Sequence, residues 1–201
     1  MKNGLTANLR TTNIKHLILA CCLALAGNLC HSSDALADSL IELGVHFGGG
    51  ELIYEPFSNG QRKTMKAGEL FSFSVGRLFQ LSNSWETQLT FGVKSDAKYD
   101  QDIKVSWVRY PINALMFYRM STTRVGFGAT YHVAPKLKGY GLAGNIIEKY
   151  ENAVGGLLEL DFIRSERFLW GMRLTLIQYE SRKDQHTVDG NSLGFLIIAQ
   201  L

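Results

Sequence analysis

Residues 192-SLGFLIIAQL-201 read as one strand with a period of two. Leu193, Phe195, Ile197, Ala199 and Leu201 share one parity, and Ser192, Gly194, Leu196, Ile198 and Gln200 share the other. Such alternation places one set of side chains on each face of a sheet. Terminal residues of a soluble domain usually fray in water, so an apolar face that runs to Leu201 is unusual there. It is expected in a closed membrane barrel, where the last strand pairs with the first.

Working back along the chain, the same period recurs. Ile41, Leu43, Val45 and Phe47 alternate with Glu42, Gly44 and His46. Phe71, Phe73, Val75 and Phe79 alternate with Ser72, Ser74 and Gly76; Arg77 interrupts this set, either snorkelling at a strand end or marking a bulge. Trp85, Thr87, Leu89, Phe91 and Val93 alternate with Glu86, Gln88, Thr90 and Gly92. The next strand, Ile103 to Tyr118, contains a conflict. Val105 and Trp107 have one parity, whereas Val108, Tyr110, Ile112, Ala114 and Met116 have the other, so a register switch is expected near Trp107 to Pro111. Val125 to Val133 alternate with Arg124 to His132, and Pro135 is expected to stop that strand. Residues 153–162 and 168–179 complete the set.

Eight strands of about ten residues are the length and number of a small tilted membrane barrel. The connections alternate long and short, beginning with a polar segment from Gly48 to about Lys66. Polar loops are also expected around Lys94 to Asp102, from Pro135 to Asn152, and from Glu180 to Asn191. Short turns belong in the periplasm and long loops outside, which puts both termini in the periplasm. Aromatic residues gather near strand ends as two girdles: Trp85, Tyr118, Phe162, Phe168 and Trp170 on the short-turn side, and Phe47, Phe71, Tyr131 and Tyr179 on the other. A soluble lipocalin-like barrel is the competing architecture. Its inward face would have to be apolar, but here the second face is glycine, serine, threonine and charge.

Residues 1–37 read as a secretory leader: Lys2, Arg10 and Lys15, then the apolar run 17-LILACCLALAG-27, then Ala35-Leu36-Ala37 as a cleavage site. Residues 38–201 form the expected barrel domain. All three cysteines, Cys21, Cys22 and Cys30, fall in the leader, so no disulfide or cysteine metal site is expected in the mature chain. The mature chain keeps 18 basic and 17 acidic residues, a balance with no nucleic-acid footprint. Its apolar runs are only a few residues long, so it can cross a bilayer only as strands.

The chain resembles the small eight-stranded outer-membrane β-barrel proteins of Gram-negative bacteria. The similarity spans nearly all of residues 38–201 and rests on ELGVHFGGGEL (42–52), RYPINALMFY (109–118), RVGFGATYHVAPKL (124–137), GMRLTLIQY (171–179) and DGNSLGF (189–195). It implies location in the outer membrane, outer-membrane lipid and lipopolysaccharide as partners, and insertion by the barrel-assembly machinery. Such proteins usually end in an aromatic residue that this machinery reads. Leu201 departs from that pattern, and its apolar character and phase still imply insertion.

If the apolar parity faces lipid, the interior receives Glu42, His46, Glu86, Gln88, Arg109, Asn113, Arg124, Glu159, Asp161 and Arg173. Isolated charges would be costly there. Their signs are mixed, so Glu42, Glu86, Glu159 and Asp161 are expected to pair with Arg109, Arg124 and Arg173 in a structural salt-bridge network. No catalytic residue, cofactor or metal is expected, and the role implied is structural or surface interaction through four external loops. Two other activities are conceivable. A lipid A deacylase would need a histidine, a serine and an acid, for which His186, Asp189 and Ser192 are the nearest set. A narrow ion or solute passage would use the interior charges. Arg62, Lys63 and Lys66 in the first loop could meet lipopolysaccharide phosphates.

Overall fold

The computed structural model describes residues 37–56, 62–100, 103–140 and 146–201. The expected leader, Ala37 apart, lies outside the described residues. In chain order the strands are β1 (Ala37–Phe47), β2 (Glu51–Pro56), β3 (Arg62–Lys66), β4 (Leu70–Gln80), β5 (Trp85–Asp100), β6 (Ile103–Arg119), β7 (Thr123–Tyr140), β8 (Ile146–Lys149), β9 (Ala153–Ile163), β10 (Phe168–Glu180), β11 (Thr187–Asp189) and β12 (Ser192–Gln200). Eight of them close a barrel in the order β1, β4, β5, β6, β7, β9, β10, β12, every pair antiparallel. The seam is β12 on β1, with Leu40 opposite Gln200 and Phe47 opposite Leu193. Closure leaves no sheet edge, the condition for crossing lipid with strands.

Three tight turns lie at one end, the end where β1 starts and β12 finishes. Ser82 Oγ accepts the Trp85 N–H at 3.1 Å, Met120 N–H donates to the Thr123 carbonyl at 2.8 Å, and Arg164 N–H donates to the Phe168 carbonyl at 3.0 Å. Along β10 and β12, exposed and buried residues alternate over almost every position. Phe71, Phe91, Phe127, Leu158 and Trp170 are exposed on the outside, while Glu42, Glu86, Arg124, Asp161 and Arg173 are buried inside. Arg77 keeps the outward parity, and β4 holds one register with each neighbour, so no bulge forms there.

At the other end several expectations change. β5 does not stop at Val93: it runs to Asp100, and Lys94 and Asp96 are buried strand residues, not loop residues. β6 carries no register switch. Trp107, Arg109, Pro111 and Asn113 all point inward in one phase, and Trp107 is fully buried. The irregularity lies opposite, in β7, where the register against β6 shifts between Val108 and Tyr110. There Ala134 adopts φ 48°, and its N–H donates to Asn152 Oδ1 at 2.9 Å. Pro135 therefore sits in a bulge, where its missing N–H costs no ladder bond. Its carbonyl accepts the Tyr150 N–H at 3.0 Å, and β7 continues to Tyr140.

The segments expected to be plain loops contain β2, β3, β8 and β11. β8 extends the wall beside β7, β11 folds against β10, and β2 pairs with β3 as a hairpin. Gly48 and Gly49, with φ 119° and 91°, turn the chain out of β1; a Cβ on Gly49 would meet the Gly68 nitrogen. This close approach folds residues 67–69 over the barrel mouth. Ala67, Met65, Trp107, Leu137, Tyr150, Ile177, Tyr179 and Val188 then form a buried apolar cluster, a cap above the barrel. Tyr179, expected in the outer girdle, belongs to this cluster because its parity on β10 is the inward one.

Candidate functional site

The interior is the first candidate. In its lower half, toward the tight turns, one connected chain of hydrogen bonds crosses the barrel. Arg119 Nη1 donates to Glu86 Oε1 at 2.7 Å, and Arg124 Nη1 to Glu86 Oε2 at 3.2 Å. Arg124 Nε donates to Asp161 Oδ2 at 2.7 Å and its Nη2 to Gln88 Oε1 at 2.9 Å. Gln88 Nε2 donates to Glu42 Oε1 at 2.6 Å. Arg173 Nη2 reaches the same Glu42 oxygen at 2.9 Å, and Arg173 Nε donates to Glu159 Oε2. These groups come from β1, β5, β6, β7, β9 and β10, so the side chains tie together six walls of the barrel. The Arg124 guanidinium also lies 4.0 Å from the Phe117 ring centroid.

Room for such large side chains comes from small inward neighbours. A Cβ on Gly171 would lie 2.3 Å from Asp161 Oδ1. Glycine on β10 is therefore what allows the carboxylate to turn toward Arg124.

Of the seven charged residues expected to pair, the structure brings together Glu42, Glu86, Arg124, Glu159, Asp161 and Arg173. Arg109 stands apart in the upper half. Its Nη2 donates to the Glu69 carbonyl at 2.8 Å and its guanidinium lies 5.5 Å from the Trp107 ring. Around it the contacts are mostly neutral: His46 Nε2 with Ser72 Oγ at 2.8 Å, Asn113 Nδ2 to Thr90 Oγ1 at 3.0 Å, and His132 Nδ1 with Tyr179 OH at 2.6 Å. Lys94 Nζ donates to Ser192 Oγ at 3.1 Å. A small polar cavity lies among His46, Ser72, Lys94, Asn113 and His132. Above it, Trp107 packs edge-on against Tyr150 and Tyr179, with centroids 5.0 and 5.3 Å away, and its Nε1 donates to the Ala67 carbonyl.

No protein-family model matches the chain, and no curated protein matches it in sequence. Solved structures match its backbone. The crystal structure of Ail, the attachment invasion locus protein of Yersinia pestis, aligns with a TM-score of 0.53 at 13% identity, covering 82% of this chain and 96% of that one. The crystal structure of Neisserial surface protein A gives 0.52 at 9% identity, with 82% and 97% covered. The fold is that of a small outer-membrane β-barrel. Ail in complex with the heparin analogue sucrose octasulfate gives 0.51 at 15% identity, with 82% and 97% covered.

The belt of exposed apolar side chains agrees with that fold and places this barrel in the bacterial outer membrane. Phe71 is 62% exposed, Trp170 58% and Phe127 56%, around a wall whose inner face is charged. In water this would be a large apolar liability; in lipid it is the stable orientation. Trp85 and Tyr118 pack edge-to-face in the girdle near the tight turns, with centroids 5.3 Å apart.

The deacylase-like set of His186, Asp189 and Ser192 is not assembled. Ser192 faces the interior toward Lys94, Asp189 Oδ1 accepts the Asn191 N–H at 2.8 Å, and His186 pairs with Asp184 at 2.6 Å. That last pair lies on the outer surface of the cap. The hydrogen bond from His186 holds the Asp184 carboxyl down at about 2. Tyr150, in the cap beneath, is pushed up by burial and then by the charge of Glu148. Sequence spacing could not bring out this corner, because Glu148 comes from β8 and the other two from the turn after β10. Of the basic residues singled out in the first loop, Lys66 is half-buried at the end of β3; the side chains of Arg62 and Lys63 lie outside the described set.

Proposed function

We propose that this outer-membrane barrel acts as a structural and surface-interaction protein, with its interior closed and its external cap as the working face. The observation that carries this reading is the filling of the interior at two levels. Paired charges span the lower half, and the cluster around Trp107 covers the upper half. Eight strands enclose little more than side chains. The charged interior residues then serve as a structural network, which supports neither a solute path nor a reaction centre. Planar-bilayer recording tests this directly: purified full-length protein is expected to give no discrete conductance steps, and regular steps would return the interior to a transport role.

Lipopolysaccharide is the proposed lipid partner. Above the bulge in β7, Lys136 faces outward directly opposite Lys149 of β8, with Lys138 two positions on. Like charges in a cross-strand pair repel, and an anion between them relieves this. The phosphates of lipid A are anions that would suit such a pair. The double variant K136Q/K149Q is expected to lower retention of purified lipopolysaccharide on the immobilised barrel several-fold, with retention of neutral phospholipid unchanged. Insertion by the barrel-assembly machinery, with the apolar Leu201 just past β12, is part of the same reading.

A further inference from the structure

We propose that Glu148, Asp184 and His186 form a binding site for one divalent transition-metal ion of the zinc class on the external cap. Each offers a ligand atom, and these atoms lie within 4.8 Å of one another. Ligands held at zinc distances stand roughly 3.4 Å apart around a tetrahedral ion. Asp184 and His186 are hydrogen-bonded to each other at 2.6 Å, and both side chains are exposed, so rotation can open that pair and bring Glu148 to the same ion. One imidazole nitrogen with two carboxylate oxygens suits zinc better than calcium or magnesium, which prefer oxygen-only shells. Three protein ligands leave the fourth position to water.

A second feature points to the same spot. Tyr150 is 1% exposed, and its hydroxyl makes no well-formed hydrogen bond among the described residues, the Glu148 carboxylate being the polar group it approaches. A buried hydroxyl without a well-formed bond is costly. Its ring packs edge-on against His186, with centroids 6.1 Å apart, and the acidic groups bearing on it are Glu148 and Asp184. A metal-bound water would lie within its reach as an acceptor or donor.

The site joins two segments that otherwise meet through backbone bonds, the ring contact of Tyr150 with His186 and an exposed ion pair between Arg182 and Glu151. Glu151 N–H donates to the Glu180 carbonyl at 2.8 Å, and Arg182 N–H to the Lys149 carbonyl at 3.0 Å. A metal bound across them fastens β8 to the β10–β11 turn and holds the cap shut over Trp107.

The test uses full-length protein folded in detergent micelles and titrated with zinc chloride against a chromophoric chelator. The wild type is expected to bind one ion per chain. His186→Ala and Glu148→Gln are expected to weaken binding at least tenfold while keeping the heat-dependent gel shift of a folded barrel. Zinc should also slow hydrogen exchange over residues 146–150 and 181–189 in the wild type and leave exchange in His186→Ala unmoved. Absence of zinc binding in the wild type overturns the proposal. So does equal binding by the wild type and both folded variants, or binding of calcium without zinc. None of these results bears on whether the barrel is closed, which the conductance measurement decides separately.

Discussion

The two halves of the interior are built for different surroundings. In the lower half the outside is apolar and the inside charged: Phe127, Leu158 and Met172 face out, while Arg124, Glu159 and Arg173 face in. At the level of the cap, on β7 and β10, the order reverses. Leu137 and Ile177 face in, while Lys136 and Gln178 face out. On β10 this reversal takes place with no bulge, because Leu174 and Leu176 are followed by Ile177 and Tyr179 on the opposite parity. On β7 the apolar parity stays the same and the bulge at Ala134 turns it inward. The lesson concerns the solvent outside. Lipid tails give no hydrophobic reason to bury apolar groups, so the lower half is held by its ladder and by paired charges. The cluster around Trp107 packs as a soluble core does.

The largest effect should come from the lower half. Arg173→Ala leaves Glu42 and Glu159 buried without their cation, and breaking such a pair costs about 3–5 kcal/mol. Urea unfolding of the barrel in lipid vesicles should show this as a lower midpoint with an unchanged slope. A loss below about 1 kcal/mol would remove the distinction between the halves.

Trp107→Ala should cost about 3 kcal/mol, the low end for a large aromatic, and act mainly on the cap. Trypsin should then cut at Lys149, Arg182 or Lys183, while the gel shift of the barrel persists. If the gel shift is lost instead, the two halves fold as one unit.

Asn191→Ala removes the Oδ1 that accepts the Ile177 N–H at 2.8 Å, just where the parity of β10 inverts. A loss of about 1 kcal/mol is expected, read as faster hydrogen exchange at Ile177 and its neighbours.

The smallest change should have the opposite sign. Lys149→Gln relieves the repulsion with Lys136 and should raise the unfolding midpoint in lipopolysaccharide-free detergent by about 0.5 kcal/mol or less. In lipopolysaccharide-containing vesicles the same change should be neutral or destabilising.

The barrel was legible because its lower half obeys one rule. Parity on β1, β5, β10 and β12 assigned Leu43, Phe91, Leu174 and Phe195 outward and Glu42, Glu86, Arg173 and Ser192 inward, as found. The upper half was misread because the rule changes there. The clash between Trp107 and Val108 in β6 looks like a change of register, but it is a change in what lies outside the wall. Charges of inward parity, Lys94 and Asp96, made Lys94 to Asp100 look like loop, although both are buried and Asp96 pairs across to Trp107 in the ladder. Pro135 looked like a terminator because a bulge cannot be seen in a single strand. The set of Glu148, Asp184 and His186 exists only through pairing of distant segments, which no local pattern encodes.

The three tryptophans occupy different depths of the molecule. Trp85 and Trp170 stand on the outer wall near the tight turns, and Trp107 is sealed beneath the cap. Their natural fluorescence therefore separates two events. Brominated acyl chains would dim the first two as the wall enters a bilayer and leave the third bright. An aqueous quencher would reach the third only while the lid is open, so insertion and lid closure can be timed in one sample without a label.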